Sequence, residues 1–110
     1  MKKLKIDFRK INTEDQFHDT LSALFGFPDF YGRNGDALID CLSSLRFPDE
    51  GMTTIHITEF EYLCLELYNL TGSPKEIQKE FMAIIEFVNA REKSKDREPS
   101  ILLHLVHQSH

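Results

Sequence analysis

The sequence lacks long apolar runs, a dense set of cysteines and an excess of basic residues, and each absence excludes a class of protein. No segment approaches the run of about 18 apolar residues that a membrane-spanning helix needs. Two cysteines, Cys41 and Cys64, are too few for a disulfide framework, and we expect reduced thiols in the core. The chain has 13 basic and 18 acidic residues, and its net charge of −5 disfavours a nucleic-acid-binding surface. A basic partner remains compatible with this charge.

Length and composition predict one globular domain over residues 1–110. The chain of 110 residues is too short for two ordinary domains. A chain of this size buries about 65% of the surface that it exposes when unfolded. The content of 41% hydrophobic and 28% charged residues argues against disorder. The basic start at residues 1–5 is followed by alternating charged and apolar residues instead of a signal-peptide core, so we expect a cytoplasmic protein.

Apolar spacing in the first half of the chain predicts two strands and two helices. Alternation predicts a strand over residues 3–8, and helical spacing predicts a helix over residues 13–25 with Thr13 as its N-cap. Asn34 is the expected N-cap of a second helix that ends near residue 46 or 47. The β-branched residues at 53–57 predict a second strand.

The second half of the chain predicts two more helices and a third strand. A helix is expected over residues 59–70, and another begins at Ser73, with Glu76 completing a capping box. Residues 91–98 are charged and are predicted to be solvated. The apolar run at residues 100–106 predicts a strand inside the sheet. Strands separated by helices pair in parallel, so the predicted fold class is α/β, a three-stranded parallel sheet with about four helices.

The helix after Asn34 carries two acidic residues on the face opposite its apolar stripe. Asp36 lies in the first turn, where a carboxylate stabilises the helix dipole. Asp40 lies in mid-helix, where no basic residue one turn away can pair with it. A solvated polar face and a binding face both fit this pattern, and the adjacent Phe30, Tyr31 and Ile39 favour binding.

Residues 30–42 read FYGRNGDALIDCL, and this pattern resembles the signature of the barstar family, intracellular inhibitors of barnase-type ribonucleases. The match is specific in this segment and looser elsewhere, although the order of elements agrees over nearly the whole chain. The resemblance implies the family's three-stranded parallel sheet, no catalytic activity and no cofactor. It also implies a 1:1 complex with a basic ribonuclease toxin, without nucleic acid or membrane as a partner.

By this resemblance, the connector and its following helix enter the nuclease active site. Asp40 would be the principal mimic of an RNA phosphate, Asp36 would reinforce it, and Phe30 would pack against the catalytic cleft. The implied partner-binding set comprises Phe30, Tyr31, Gly32, Asn34, Asp36, Ile39, Asp40, Ser44, Leu45 and Asn89.

Several positions depart from the family pattern. The chain has no tryptophan, and Ile39 and Leu45 stand where the family has one. Arg33 replaces a frequent acid, and Asn89 aligns with an additional acid, with Glu86 and Glu92 nearby. These departures bear on the partner more than on the fold.

An enzyme and a binding module for a different partner are the two alternative classes of function. An enzyme would need chemistry that the sequence lacks, since it has no glycine-rich phosphate loop, nucleophile elbow or zinc signature. His104, His107 and His110 are spaced by three, and strand geometry places the first two on opposite faces, so no metal site is expected. Cys41 falls in the apolar stripe and is expected to behave as a core thiol. A binding or immunity module for a non-ribonuclease toxin or another protein fits the same features.

Overall fold

The computed structural model describes residues 2–106. Its main elements, in chain order, are β1 (Lys2–Asp7), α1 (Glu14–Phe25), α2 (Gly35–Leu42), β2 (Leu63–Tyr68), α3 (Lys75–Ser94) and β3 (Ile101–Val106). The strands form one parallel sheet in the order β1-β2-β3. The predicted α/β class and three-stranded parallel sheet are confirmed, with three α-helices and three short 3-10 turns in the described residues instead of about four helices.

The prediction for residues 53–70 is wrong. The segment 53–57 forms no strand, and the predicted helix over 59–70 is replaced by β2, which pairs with both other strands. Leu63, Leu65 and Leu67 are buried at alternate positions, which is the period of a strand. In so short an apolar run, the helical and strand periods are hard to distinguish from the sequence. Pairing with a strand on each side favours the strand.

The predicted inner position of the third strand is also wrong. Because the strand order is β1-β2-β3, β3 lies at an edge, and Leu102 and Leu105 are 41% and 52% exposed. A continuous apolar run is typical of a buried parallel strand, but the crossover through α3 places this run beside β2 with no fourth strand among residues 2–106.

Helix ends differ from the predictions where serine side chains bind the backbone. Ser43 and Ser44 donate their hydroxyls to the carbonyls of Ile39 and Asp40, and α2 ends at Leu42. The capping box at Ser73 is wrong, since its hydroxyl donates to the Leu70 carbonyl at 2.6 Å. The helix α3 also continues through the first half of the stretch predicted to be solvated, as far as Ser94.

The helices pack against one face of the sheet. The core residues of β2, Leu63, Leu65 and Leu67, join the large apolar side chains of α1, α2 and α3 in one cluster. The other face carries polar rows, such as Lys5, Glu66 and His104 at one register position. No helix within residues 2–106 is long and apolar enough to cross a membrane.

The connector, residues 27–34, joins α1 to α2 and begins after a tight approach between two loops. Gly26 ends α1 with a φ of 67°, in the left-handed region that favours glycine. A Cβ at this position would overlap the Thr54 side chain. The Thr54 amide also donates to the Phe25 carbonyl at 2.9 Å, so the start of the connector is held in place.

Candidate partner-binding face

An aromatic contact fixes the connector to α1. The Tyr31 hydroxyl lies 2.6 Å from His18 Nδ1, and the Tyr31 ring lies 4.7 Å from the Phe27 ring. Burial raises the pKa of Tyr31 and lowers the pKa of His18, so both groups are favoured in their neutral forms. Tyr31, predicted to bind a partner, therefore directs its hydroxyl into the protein.

Arg33 provides a second fastening of the connector to α1. Its guanidinium lies 2.9 Å from Asp19 and 3.4 Å from Asp15, both on α1. These carboxylates raise the pKa of Arg33, with the hydrogen bond to Asp19 as the largest cause. The charge of Arg33 thus pairs with the acids of α1.

The remaining side chains of the connector point outward or cap α2. Phe30 is 76% exposed. Asn34 Oδ1 accepts a hydrogen bond from the Ala37 amide at 2.8 Å, which confirms the predicted N-cap. Gly32 is exposed between them. The connector therefore presents Phe30 beside the positive end of a capped helix.

Asp36 and Asp40 are both exposed on α2, one turn apart. The Asp40 carboxylate is 64% exposed and lies 3.4 Å from Arg91 Nη1 on α3. Within the described chain, Asp36 has no cation at ion-pair distance. Two carboxylates on a rigid helix, with one weak cation contact between them, form an acidic surface that remains available to a partner.

Arg91 and Phe87 extend this surface onto α3, and sequence reasoning missed both. Arg91 Nη1 lies 3.3 Å from Ser43 Oγ, and its guanidinium lies 5.5 Å from the centre of the Phe87 ring. Phe87 is 53% exposed. The available signal was that Phe87 falls outside the apolar stripe of α3, with Arg91 one turn beyond it.

A groove of about 470 Å³ lies beside Asp40, between α2 and the end of α3. Its charged lining is mixed, since Asp40, Glu50 and Glu92 face Arg91, Lys95 and Arg97. The acidic surface of α2 thus borders a charge-balanced groove.

Four of the predicted partner-binding residues are less accessible. Ile39 is half-buried against the core, and Ser44 and Leu45 are 5% and 1% exposed. Asn89 uses its side-chain amide to join α3 to β3, because Nδ2 donates to the Ile101 carbonyl and Oδ1 accepts from the Ser100 and Ile101 amides. Whether these residues contact a partner stays a prediction.

The cysteines and histidines considered for catalysis or metal binding lie in different environments. Cys41 and Cys64 are free and buried, and burial raises the pKa of Cys41 to about 11, which favours the unreactive thiol. His104 is exposed near Glu66 on β2, with 3.8 Å between His104 Nδ1 and Glu66 Oε2. His107 and His110 lie outside the described residues.

The fold and this face define a small α/β protein that presents an acidic helix from one side of a three-stranded sheet. Comparison with known protein families gives the particular class. The family model described as "Barstar (barnase inhibitor)" matches residues 1–105, and the chain belongs to the barstar family. It is also 34% identical over 94 residues to the Bacillus subtilis (strain 168) protein named "Putative ribonuclease inhibitor YrdF", an alignment that covers 78% of this chain and 100% of that protein. Family membership and this relative point to an inhibitor and not to an enzyme.

Proposed function

We propose that this protein inhibits a ribonuclease toxin by inserting the connector and α2 into the basic active site of the nuclease. The observation that carries the proposal is the joint exposure of Asp36 and Asp40 on a capped helix, with Phe30 exposed at its start. Membership of the barstar family and the name of the B. subtilis relative support the same role.

The chemistry of the two acids suits this mechanism. A ribonuclease holds its phosphodiester substrate with arginine, lysine and histidine side chains, and a carboxylate can accept paired hydrogen bonds from the same groups. Asp40 takes the place of one RNA phosphate, and Asp36 reinforces it from one turn away. The net charge of −5 also attracts a basic protein and speeds their encounter.

The other residues of the predicted set divide by accessibility. Phe30 packs against the cleft of the nuclease, while Gly32 and Asn34 shape the loop that carries it. Tyr31 acts as a positioning residue through its contact with His18. Ile39 adds apolar contact at the edge of the face, and Ser44, Leu45 and Asn89 support the face through their contacts within the protein.

The test is an RNA-cleavage titration against a small barnase-type ribonuclease, with Asp40→Asn beside the unsubstituted protein. Stoichiometric inhibition is expected, and Asp40→Asn should bind about 10- to 150-fold more weakly, since a hydrogen bond to a charged group contributes about 1.5–3 kcal/mol. Glu59→Gln removes the same charge from an exposed loop position and is the matched control.

The titration separates the mechanism from its rivals. Equal inhibition by Asp40→Asn and the unsubstituted protein would contradict the phosphate mimic. Absence of inhibition would remove barnase-type nucleases as the target and would favour an immunity module for a different toxin. Inhibition that falls with rising salt concentration is also expected, because charge pairing with the nuclease is screened.

A further inference from the structure

Three side chains with metal-ligating atoms converge behind the connector. Glu14 and His18 lie on α1 and Glu80 lies on α3, and one ligand atom of each lies within 4.8 Å of the other two. His18 Nε2 is 3.6 Å from Glu14 Oε2, and the His18 side chain is only 4% exposed. The partner-binding face uses neither carboxylate.

The orientation of His18 leaves one ring nitrogen for this cluster. Its Nδ1 lies 2.6 Å from the Tyr31 hydroxyl, so Nε2 is the nitrogen that faces the carboxylates. A histidine that binds a metal commonly donates its other ring N–H to an oxygen, which fixes the tautomer and the ring. Tyr31 supplies that oxygen here.

The two carboxyl groups also lie close enough together for one cation to contact both. A carboxylate oxygen of Glu80 lies within 4.8 Å of one of Glu14. Arg33, the nearby cation, is paired with Asp15 and Asp19. A divalent ion bound between the two carboxylates would balance their charge.

We propose that Glu14, His18 and Glu80 bind a divalent first-row transition metal ion, with Zn²⁺ as the expected ligand. One imidazole nitrogen and two carboxylate oxygens suit zinc, whereas Ca²⁺ and Mg²⁺ prefer all-oxygen sets. With bonds of about 2.1 Å, tetrahedral ligand atoms lie about 3.4 Å apart. The Glu14 side chain is 56% exposed and can make the small movement required.

The site would act on the connector through His18. A metal ion on Nε2 holds the imidazole in the tautomer that donates Nδ1–H to Tyr31, and Tyr31 anchors the segment that presents Phe30. Zinc is therefore expected to stabilise the fold and to restrict the connector. This inference is independent of the proposed ribonuclease target, because its ligands lie outside the partner-binding face.

The test is a titration of the full chain, free of any tag and treated with chelator, with Zn²⁺ alone. Calorimetry should show one saturable equivalent, and the unfolding temperature should rise with zinc concentration. Substitution with Co²⁺ should give a visible absorption band. Glu80→Gln should weaken the affinity at least tenfold, while Glu76→Gln, on the same helix, and His104→Gln, on β3, should leave it unchanged.

Two further variants keep the inference falsifiable. Tyr31→Phe retains the ring but removes the oxygen next to His18, and it should weaken zinc affinity about 10- to 100-fold. His18→Gln should abolish the site if the variant folds, and Glu80→Gln gives the result if it does not. Absence of saturable binding would overturn the proposal, and zinc binding unchanged in Glu80→Gln would overturn it by assigning the metal to other residues.

Discussion

Two regions of this molecule use acidic side chains in opposite ways. Glu92, near the end of α3, is 2% exposed, and its carboxylate lies 2.6 Å from Arg97 and 3.5 Å from Arg46. Asp40, on α2, is 64% exposed and lies 3.4 Å from Arg91. The first carboxylate is satisfied within the fold, whereas the second remains free to meet charge from outside.

The Glu92 network also shows how a basic residue can be used for structure. The Arg46 side chain is 3% exposed and donates hydrogen bonds to the carbonyls of Thr58, Glu61, Glu98 and Pro99. These bonds join the loop before β2 to the loop before β3. Within residues 2–106, no comparable network surrounds Asp36 and Asp40, so the charge count of the chain alone does not locate this exposed acidic surface.

Glu92→Gln should give the largest effect on stability. The substitution leaves Arg46 buried without its carboxylate, and breaking a buried ion pair in this way costs about 3–5 kcal/mol. Urea unfolding measures the free energy of unfolding. Glu76→Gln, exposed in the first turn of the same helix, should cost less than about 1 kcal/mol.

A loss below about 1 kcal/mol for Glu92→Gln would show that Arg46 is held by its backbone carbonyls alone. At temperatures where the variant remains folded, its inhibition of a target ribonuclease should be unchanged. That pairing of results would separate the structural acid from the binding acids.

Phe30→Ala should give the largest effect from an apolar side chain on partner binding. Exposed aromatic anchors at interfaces commonly contribute about 2 kcal/mol or more, which corresponds to roughly thirtyfold in affinity. Because Phe30 is 76% exposed, the free energy of unfolding should change by less than about 0.5 kcal/mol. Calorimetric binding and urea unfolding check the two values. Phe60→Ala, which removes a ring that is 89% exposed, is the control.

Comparable losses of affinity in the two phenylalanine variants would mean that Phe30 has no special position at the interface. Comparable losses of stability and affinity in Phe30→Ala would instead mean that the ring orders the connector.

The sequence predicted the exposed acids of α2 better than the closed network around Glu92, and the reason is the range of the interactions. Asn34 caps its own helix, and the spacing of Asp36 and Asp40 follows from helix geometry, so both are local properties. Glu92 was predicted to lie in a solvated stretch because its partner Arg46 is far away in the chain. The strand β2 was missed for the same reason, since its pairing with β1 and β3 joins distant residues.

Asn34→Ala should weaken the rigid presentation of Asp36 and Asp40 on α2. Loss of the hydrogen bond to the Ala37 amide should cost about 1 kcal/mol of stability. The loss of binding free energy to the nuclease should exceed the loss in the free energy of unfolding, because α2 must stay ordered from its first turn to place Asp36. Urea unfolding and inhibition titrations measure the two effects. Asn34→Asp retains a capping oxygen and should preserve both, whereas equal losses in the two variants would argue that the amide itself contacts the partner.

Arg91→Gln should have the smallest effect on stability, and it tests directly how the acidic surface attracts a basic partner. Exposed ion pairs contribute about 0.2–1 kcal/mol, and the Arg91 side chain is 36% exposed, so stability should hardly change. Removing this cation frees Asp40 and raises the local negative charge, so association with a basic nuclease should become modestly faster at low salt. Stopped-flow association rates at low and high salt check this, and the difference should vanish when screening is strong.

Lys93→Gln, which makes the same charge change nearby on α3, is the control. A slower association in Arg91→Gln than in Lys93→Gln would mean that Arg91 itself meets the partner, and the face would then be one of mixed charge.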